Sequence, residues 1–76
     1  MENRILIDPT ICYGKPVIKG TRVLVSNILG ALSAEESIEH ILQDYPNITR
    51  DDILASLKFG SELSNFDTYS YEEYIS

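Results

Sequence analysis

Eleven consecutive residues, Thr10 to Gly20, do most to constrain what this chain can fold into. They hold Gly14, Pro16 and Gly20, a combination that no regular helix tolerates in its interior. Pro16 fixes its own backbone and biases Lys15 toward extended geometry. The chain is thereby split into a non-helical front and a back that is free to be helical. On the front side, Ile5-Leu6-Ile7 is a short β-like run ended by the turn signal Asp8-Pro9. Val17-Ile18 and Val23-Leu24-Val25 are apolar, mostly β-branched, and flank Gly20. They predict a small extended ribbon that pairs with residues 4–7.

Three helices are expected behind the ribbon. Ser26 reads as the N-cap of a short helix reaching Leu32, with Ile28, Leu29 and Leu32 on one face. Ser33-Ala34-Glu35-Glu36 reads as a capping box that starts the second helix, in which Ile38, Ile41 and Leu42 form the buried stripe. Tyr45-Pro46 ends it, because a residue before proline avoids helical geometry. Thr49 starts the third helix, with Asp51 and Asp52 complementing its positive end. Ile53, Leu54 and Leu57 repeat at helical spacing, and Phe59 and Leu63 extend that apolar surface. Gly60 marks either a close contact or an early end. The fold class predicted is mainly α, a helix-turn-helix-like unit over residues 1–64 with a short N-terminal β ribbon. Residues 65–76 are set apart as an acidic, tyrosine-rich tail without aliphatic periodicity.

A chain of 76 residues forms one domain with a thin stability margin. Cys12 is the single cysteine, so no intrachain disulfide supports it, and a homodimer or a partner is the expected remedy. One cysteine and one histidine cannot supply a four-ligand zinc site without several carboxylates, and no cofactor is expected. The N-terminal residues run directly into a short apolar stretch, with no long apolar segment, which predicts a cytoplasmic protein without a membrane span. The sequon Asn47-Ile48-Thr49 is then coincidental. Charge is uneven: residues 1–22 hold four basic residues against two acidic, and residues 23–76 hold two against ten. Phosphate attraction dominates nucleic-acid affinity, so an acidic chain is a poor generic binder. Any DNA contact must draw on the basic front, and the acidic remainder suits a basic protein partner better.

The chemistry-bearing residues do not assemble into an enzyme. Gly14-Lys15-Pro16 with Gly20-Thr21 superficially resembles a phosphate loop, but the lysine is misplaced and Pro16 removes a needed backbone donor. Cys12 would need His40 as its base, and His40 reads better as a half-exposed helical residue. Asp51 and Asp52 are adjacent and splay apart on a helix, so they form no carboxylate dyad. No base, nucleophile and oxyanion donor can be drawn together, and no enzyme is expected. Lys15, Lys19 and Arg22 place three cations within eight residues, either as solvated charge or as phosphate contacts. Arg22 either ties the ribbon to a helical carboxylate or contacts DNA.

The segment Pro9-Thr10-Ile11-Cys12-Tyr13-Gly14-Lys15-Pro16-Val17-Ile18-Lys19-Gly20-Thr21-Arg22, running on through Val23-Leu24-Val25, resembles the signature of a known family, domain of unknown function 433. Glu35-Glu36-Ser37-Ile38, Tyr45-Pro46-Asn47-Ile48-Thr49 and Asp52-Ile53-Leu54-Ala55-Ser56-Leu57 fit its later pieces, so that the likeness covers roughly residues 5–60. The chain departs where the family usually has glycine after the first helix and here reads Leu32-Ser33-Ala34. The resemblance implies a homeodomain-like, winged-helix-related three-helix fold. It further implies an antitoxin of the VapB type that neutralises a PIN-like nuclease toxin and represses its own operator. On that reading Lys15, Lys19, Arg22, Thr49, Arg50 and Lys58 are the candidate nucleic-acid contacts. A protein-binding module is the rival reading, with Tyr69, Tyr71, Glu72, Glu73 and Tyr74 as candidate partner contacts.

Overall fold

The structure, a computed structural model, describes residues 4–64. The tail 65–76, with Tyr69, Tyr71, Glu72, Glu73 and Tyr74, lies outside the described residues. The described chain is mainly helical: a two-stranded ribbon, β1 (Ile5–Leu6) and β2 (Val17–Ile18), precedes α1 (Val25–Ser33), α2 (Ile38–Asp44) and α3 (Arg50–Ser64). Among these residues no helix is long and apolar enough to cross a membrane.

β1 and β2 are antiparallel, with Ile5 opposite Ile18 and Leu6 opposite Val17. Val17 also bridges Leu24 on its other side. The expected pairing of residues 4–7, 17–18 and 23–25 is therefore present. Gly20 makes the reversal between the last two pieces. Its φ of +84° is open to glycine at no steric cost, and Thr21 N–H donates to the Ile18 carbonyl at 3.0 Å to close the turn. The Thr21 hydroxyl donates to the Ile18 carbonyl at 2.8 Å and accepts from Val23 N–H at 3.0 Å, which fixes the ribbon's exit.

Three of the helix boundaries differ from expectation. Ser26 is not the N-cap of α1. The helix starts at Val25, whose N–H donates to the Pro16 carbonyl at 3.0 Å, so the ribbon supplies the acceptor that a side chain would have supplied. Ser33 is not the cap of α2 but the last residue of α1. Behind it the chain makes a Schellman turn, with Glu36 N–H on the Ala31 carbonyl at 3.1 Å and Glu35 N–H on the Leu32 carbonyl at 3.0 Å. Glu35, at φ +67°, occupies the left-handed position that glycine usually fills. The cap of α2 is Ser37, whose hydroxyl accepts from His40 N–H at 3.1 Å. Tyr45 ends α2, as expected ahead of Pro46. Thr49 caps α3.

Ile18, Val23, Val25, Ile28, Ile41, Ile48 and Ile53 form the core, so the ribbon and all three helices contribute to it. α1 packs on α2 and α3, α2 packs on α3, and α3 also touches β1. The stripe expected along α3 holds for Ile53 and Phe59 and is corrected for Leu54, Leu57 and Leu63. Asp52, Ile53, Ala55 and Ser56 face inward, and Leu54 and Leu57 face out. α1 crosses close to this face near Gly60, where a Cβ would lie 3.2 Å from Leu29 Cδ1. Gly60 thus marks a close helix contact, and the helix continues past it to Ser64. The buried Ser56 hydroxyl is satisfied by the Asp52 carbonyl at 3.0 Å.

Candidate interaction surface

The ribbon and the start of α3 are held together by one arginine. Arg4 Nη1 lies 3.1 Å from Asp52 Oδ1, and Arg4 Nη2 lies 3.5 Å from Asp51 Oδ2. The tie between ribbon and helical carboxylate suggested for Arg22 is thus made by Arg4. Arg22 is exposed, and its side chain makes no hydrogen bond or ion pair among the described residues. Position explains the exchange: Arg4 immediately precedes β1, the strand that touches α3, whereas Arg22 follows the Gly20 turn.

Asp52 serves two groups at once. Its Oδ2 accepts from Thr49 N–H at 2.9 Å, and its own N–H reaches the Thr49 hydroxyl at 3.3 Å. This reciprocal box is the reason that a carboxylate is tolerated at 8% exposure. It also occupies the helix end where Thr49 was expected to receive a phosphate, with Asp51 exposed beside it.

The outward face of α3 has a different character. Arg50, Leu54, Leu57, Lys58 and Ser61 share it by helical spacing, and all five are exposed. Leu54 and Leu57, 45% and 43% exposed, stand between the two cations. Arg50 and Lys58 therefore flank an apolar pair and do not form a continuous basic strip.

Lys15, Lys19 and Arg22 are all exposed on the ribbon. Lys19 N–H donates to the Arg4 carbonyl at 2.7 Å, which sets the ribbon's turn beside the Arg4–Asp52 link and so beside the start of α3. The structure thereby places Lys19 in the same region as Thr49 and Arg50. Ahead of Lys15 the chain makes a single tight turn over Cys12–Gly14, in which Cys12, Tyr13 and Gly14 all have positive φ, at 51°, 59° and 79°. Tyr13 projects from it, 97% exposed. The Cys12 thiol meets the Arg22 carbonyl at 4.0 Å, which brings this turn against the far limb of the ribbon. Sequence reasoning overlooked both Arg4 and Tyr13. Nothing local marks Arg4, whereas an aromatic residue between Cys12 and Gly14 in a turn was a usable sign.

On α2, His40 Nδ1 lies 2.9 Å from Glu36 Oε1 and Nε2 lies 4.0 Å from Asp44 Oδ2. The ligand atoms of these three groups fall within 4.8 Å of one another. The two ring nitrogens face opposite carboxylates, so the arrangement is an i, i+4 ladder on a solvated face and does not converge on one ion. His40 is thus tied to its own helix, while the Cys12 thiol sits on the ribbon.

The family model of a protein of unknown function, DUF433, matches residues 5–59. The uncharacterized protein y4eO of Sinorhizobium fredii is 37% identical over 51 residues. The match takes in 66% of this chain and only 23% of that relative, so the shared unit is a small part of a longer protein there. No solved structure matches significantly. The matched segment spans the ribbon, α1, α2 and most of α3, and the chain belongs to the DUF433 family.

Proposed function

We propose that this chain is an antitoxin-like regulatory protein without catalytic activity, and that it acts by binding a partner protein. The observation that carries this reading is the outward face of α3. Two half-exposed leucines occupy the middle of the helix that would read an operator, where polar donors to base edges would be needed. An apolar pair bordered by Arg50 and Lys58 suits a protein interface, with the leucines as anchors and the cations at the rim. The PIN-like nuclease implied by the family resemblance is the proposed partner.

The test is co-purification of the full chain with a PIN-like nuclease encoded beside it, together with a growth-rescue assay. The double substitution Leu54→Glu and Leu57→Glu should abolish both, with an unchanged circular-dichroism spectrum because neither side chain is in the core. A complex of unaltered stability would overturn the reading.

Operator binding is the second reading. It is favoured by the helix-turn-helix-like layout and by Lys19 lying beside the start of α3. Asp51 and Asp52 at that same helix end oppose it. A gel shift on the upstream region at low salt, with and without the nuclease, decides it; no shift in either case removes it.

A further inference from the structure

The ribbon's most exposed aromatic group and its three free-standing cations belong to the same short segment, and the α3 interface does not use them. Tyr13 is carried on three consecutive left-handed residues, two of which are not glycine. Such backbone costs free energy and persists where the surroundings over-determine it, often at functional sites. The hydrogen bonds from Gly14 N–H to the Ile11 carbonyl at 3.0 Å and from Lys15 N–H to the Cys12 carbonyl at 3.2 Å hold the turn, with the Cys12–Arg22 contact behind it. The ring therefore stands on a fixed mount.

The surroundings of Tyr13 tell what it can bind. A protein hot spot sets its aromatic anchor within an apolar patch that excludes water. The other large exposed hydrophobic residues among those described are Ile7, Leu54, Leu57 and Leu63, and none is in the segment Cys12–Arg22. That segment holds Lys15, Lys19 and Arg22 as exposed charges and no acidic residue, while Asp8 lies just ahead of it, its carbonyl accepting from Ile11 N–H at 2.9 Å and its carboxylate engaged by Thr10. One bare ring among cations is the composition of a surface that stacks a base and pairs with phosphates. A ring standing clear of the surface stacks fully only on an unpaired base, because duplex bases are already stacked on one another.

We propose that Tyr13, Lys15, Lys19 and Arg22 form a platform for single-stranded nucleic acid, with one base on the Tyr13 ring and neighbouring phosphates on the cations. The platform uses neither Leu54 nor Leu57, so the Tyr13 variants test it and the leucine variants test the partner-protein reading.

The experiment is a fluorescence-anisotropy titration of the full chain against short labelled oligonucleotides, single-stranded and duplex, at several salt concentrations. Single strands should bind more tightly than the duplex. Tyr13→Ala should weaken binding about tenfold or more, and Tyr13→Phe should retain it. Tyr13→Trp would put one tryptophan into a chain that has none, and its emission should be quenched on binding. Three phosphate contacts predict a log–log salt slope of about −2, which the triple variant Lys15→Gln, Lys19→Gln, Arg22→Gln should flatten. Tyr13→Gly, which the left-handed backbone accepts without strain, keeps the test valid if the alanine variant folds poorly; it too should lose binding. The proposal is overturned by absence of single-strand binding, by equal or tighter duplex binding, or by unchanged affinity in the folded Tyr13→Gly chain. Polyglutamate competing as well as the oligonucleotide would also overturn it, in favour of an acidic protein partner.

Discussion

At the scale of single residues, the informative positions are those where the side chain and the backbone disagree. Tyr13 at φ 59° and Glu35 at φ 67° both occupy conformations that glycine adopts at no steric cost. Their energetic reasons differ. Glu35 closes the Schellman turn behind α1, and nothing about its carboxylate is needed for that, so Glu35→Gly should raise stability by about 0.5–1 kcal/mol in a urea melt. Tyr13→Gly should give a similar gain, and if the ring serves binding the gain will come with lost affinity for single strands. Asp8 gives a residue-scale prediction of another kind. Its carboxylate accepts from Thr10 N–H at 2.9 Å and from the Thr10 hydroxyl at 2.7 Å, and these bonds, the backbone one first, hold its pKa below the ordinary 3.8. The charged form is thus favoured by folding. Its contribution is fully present above pH 3.8 and is lost as pH falls through the lower folded value. A carboxyl NMR titration should place the Asp8 midpoint below 3.8; a midpoint at or above it would show that the Thr10 bonds do not form in solution.

At the scale of elements, the boundary between ribbon and α3 is where sequence and structure part most usefully. The ribbon itself was legible, because Gly14, Pro16 and Gly20 exclude helix and the β-branched runs on either side have one way to pair. Thr49 as the start of α3 was legible for the same reason, since a capping residue and two acids precede the helix body. The cap of α2 was not. Ser33-Ala34-Glu35-Glu36 and Ser37-Ile38-Glu39-His40 both begin with serine, and only the Schellman bonds to Ala31 and Leu32 decide between them. The direction faced by Leu54 and Leu57 was hidden as well, because spacing alone marks an apolar stripe without telling which side a neighbouring helix will cover. Tertiary contacts settle it, through the close approach of Leu29 to Gly60 and the Arg4 tie to Asp52. These contacts make Asp52 the most sensitive polar residue of α3. Asp52→Ala removes half of the capping box and the Arg4 partner together, and should cost about 1–2 kcal/mol in thermal or urea unfolding. Arg4→Gln should cost less, about 1 kcal/mol at most, because the guanidinium is 44% exposed and water screens the pair. Equal losses in the two variants would mean that the ion pair, and not the cap, holds the helix end.

At the scale of the whole molecule, three different surfaces are spread over one small core. The ribbon is cationic with a bare tyrosine, the outward face of α3 is apolar between two cations, and α2 with the turn before it carries the Glu36, His40 and Asp44 ladder. Among the described residues the core cluster that supports them is Ile18, Val23, Val25, Ile28, Ile41, Ile48 and Ile53. A domain of this size has a stability of about 5 kcal/mol. Ile41 is fully buried and joins α2 to the rest, so Ile41→Ala, at about 3 kcal/mol, should leave a margin of only about 2 kcal/mol and a much lowered melting temperature. That fragility makes the partner reading measurable. A protein that binds only the folded chain adds RT ln(1 + [L]/Kd), about 2.7 kcal/mol at a hundred times Kd, which nearly offsets the lost methyl groups. The melting temperature of the Ile41→Ala chain should therefore return close to that of the unsubstituted chain when the PIN-like nuclease is present in excess. Adding Leu54→Glu and Leu57→Glu to Ile41→Ala should abolish the rescue, because the partner then has no face to hold. If the nuclease restores both chains equally, it grips some other surface. If it restores neither, while Ile41→Ala alone is shown to be destabilised, the leucine face of α3 does not bind it.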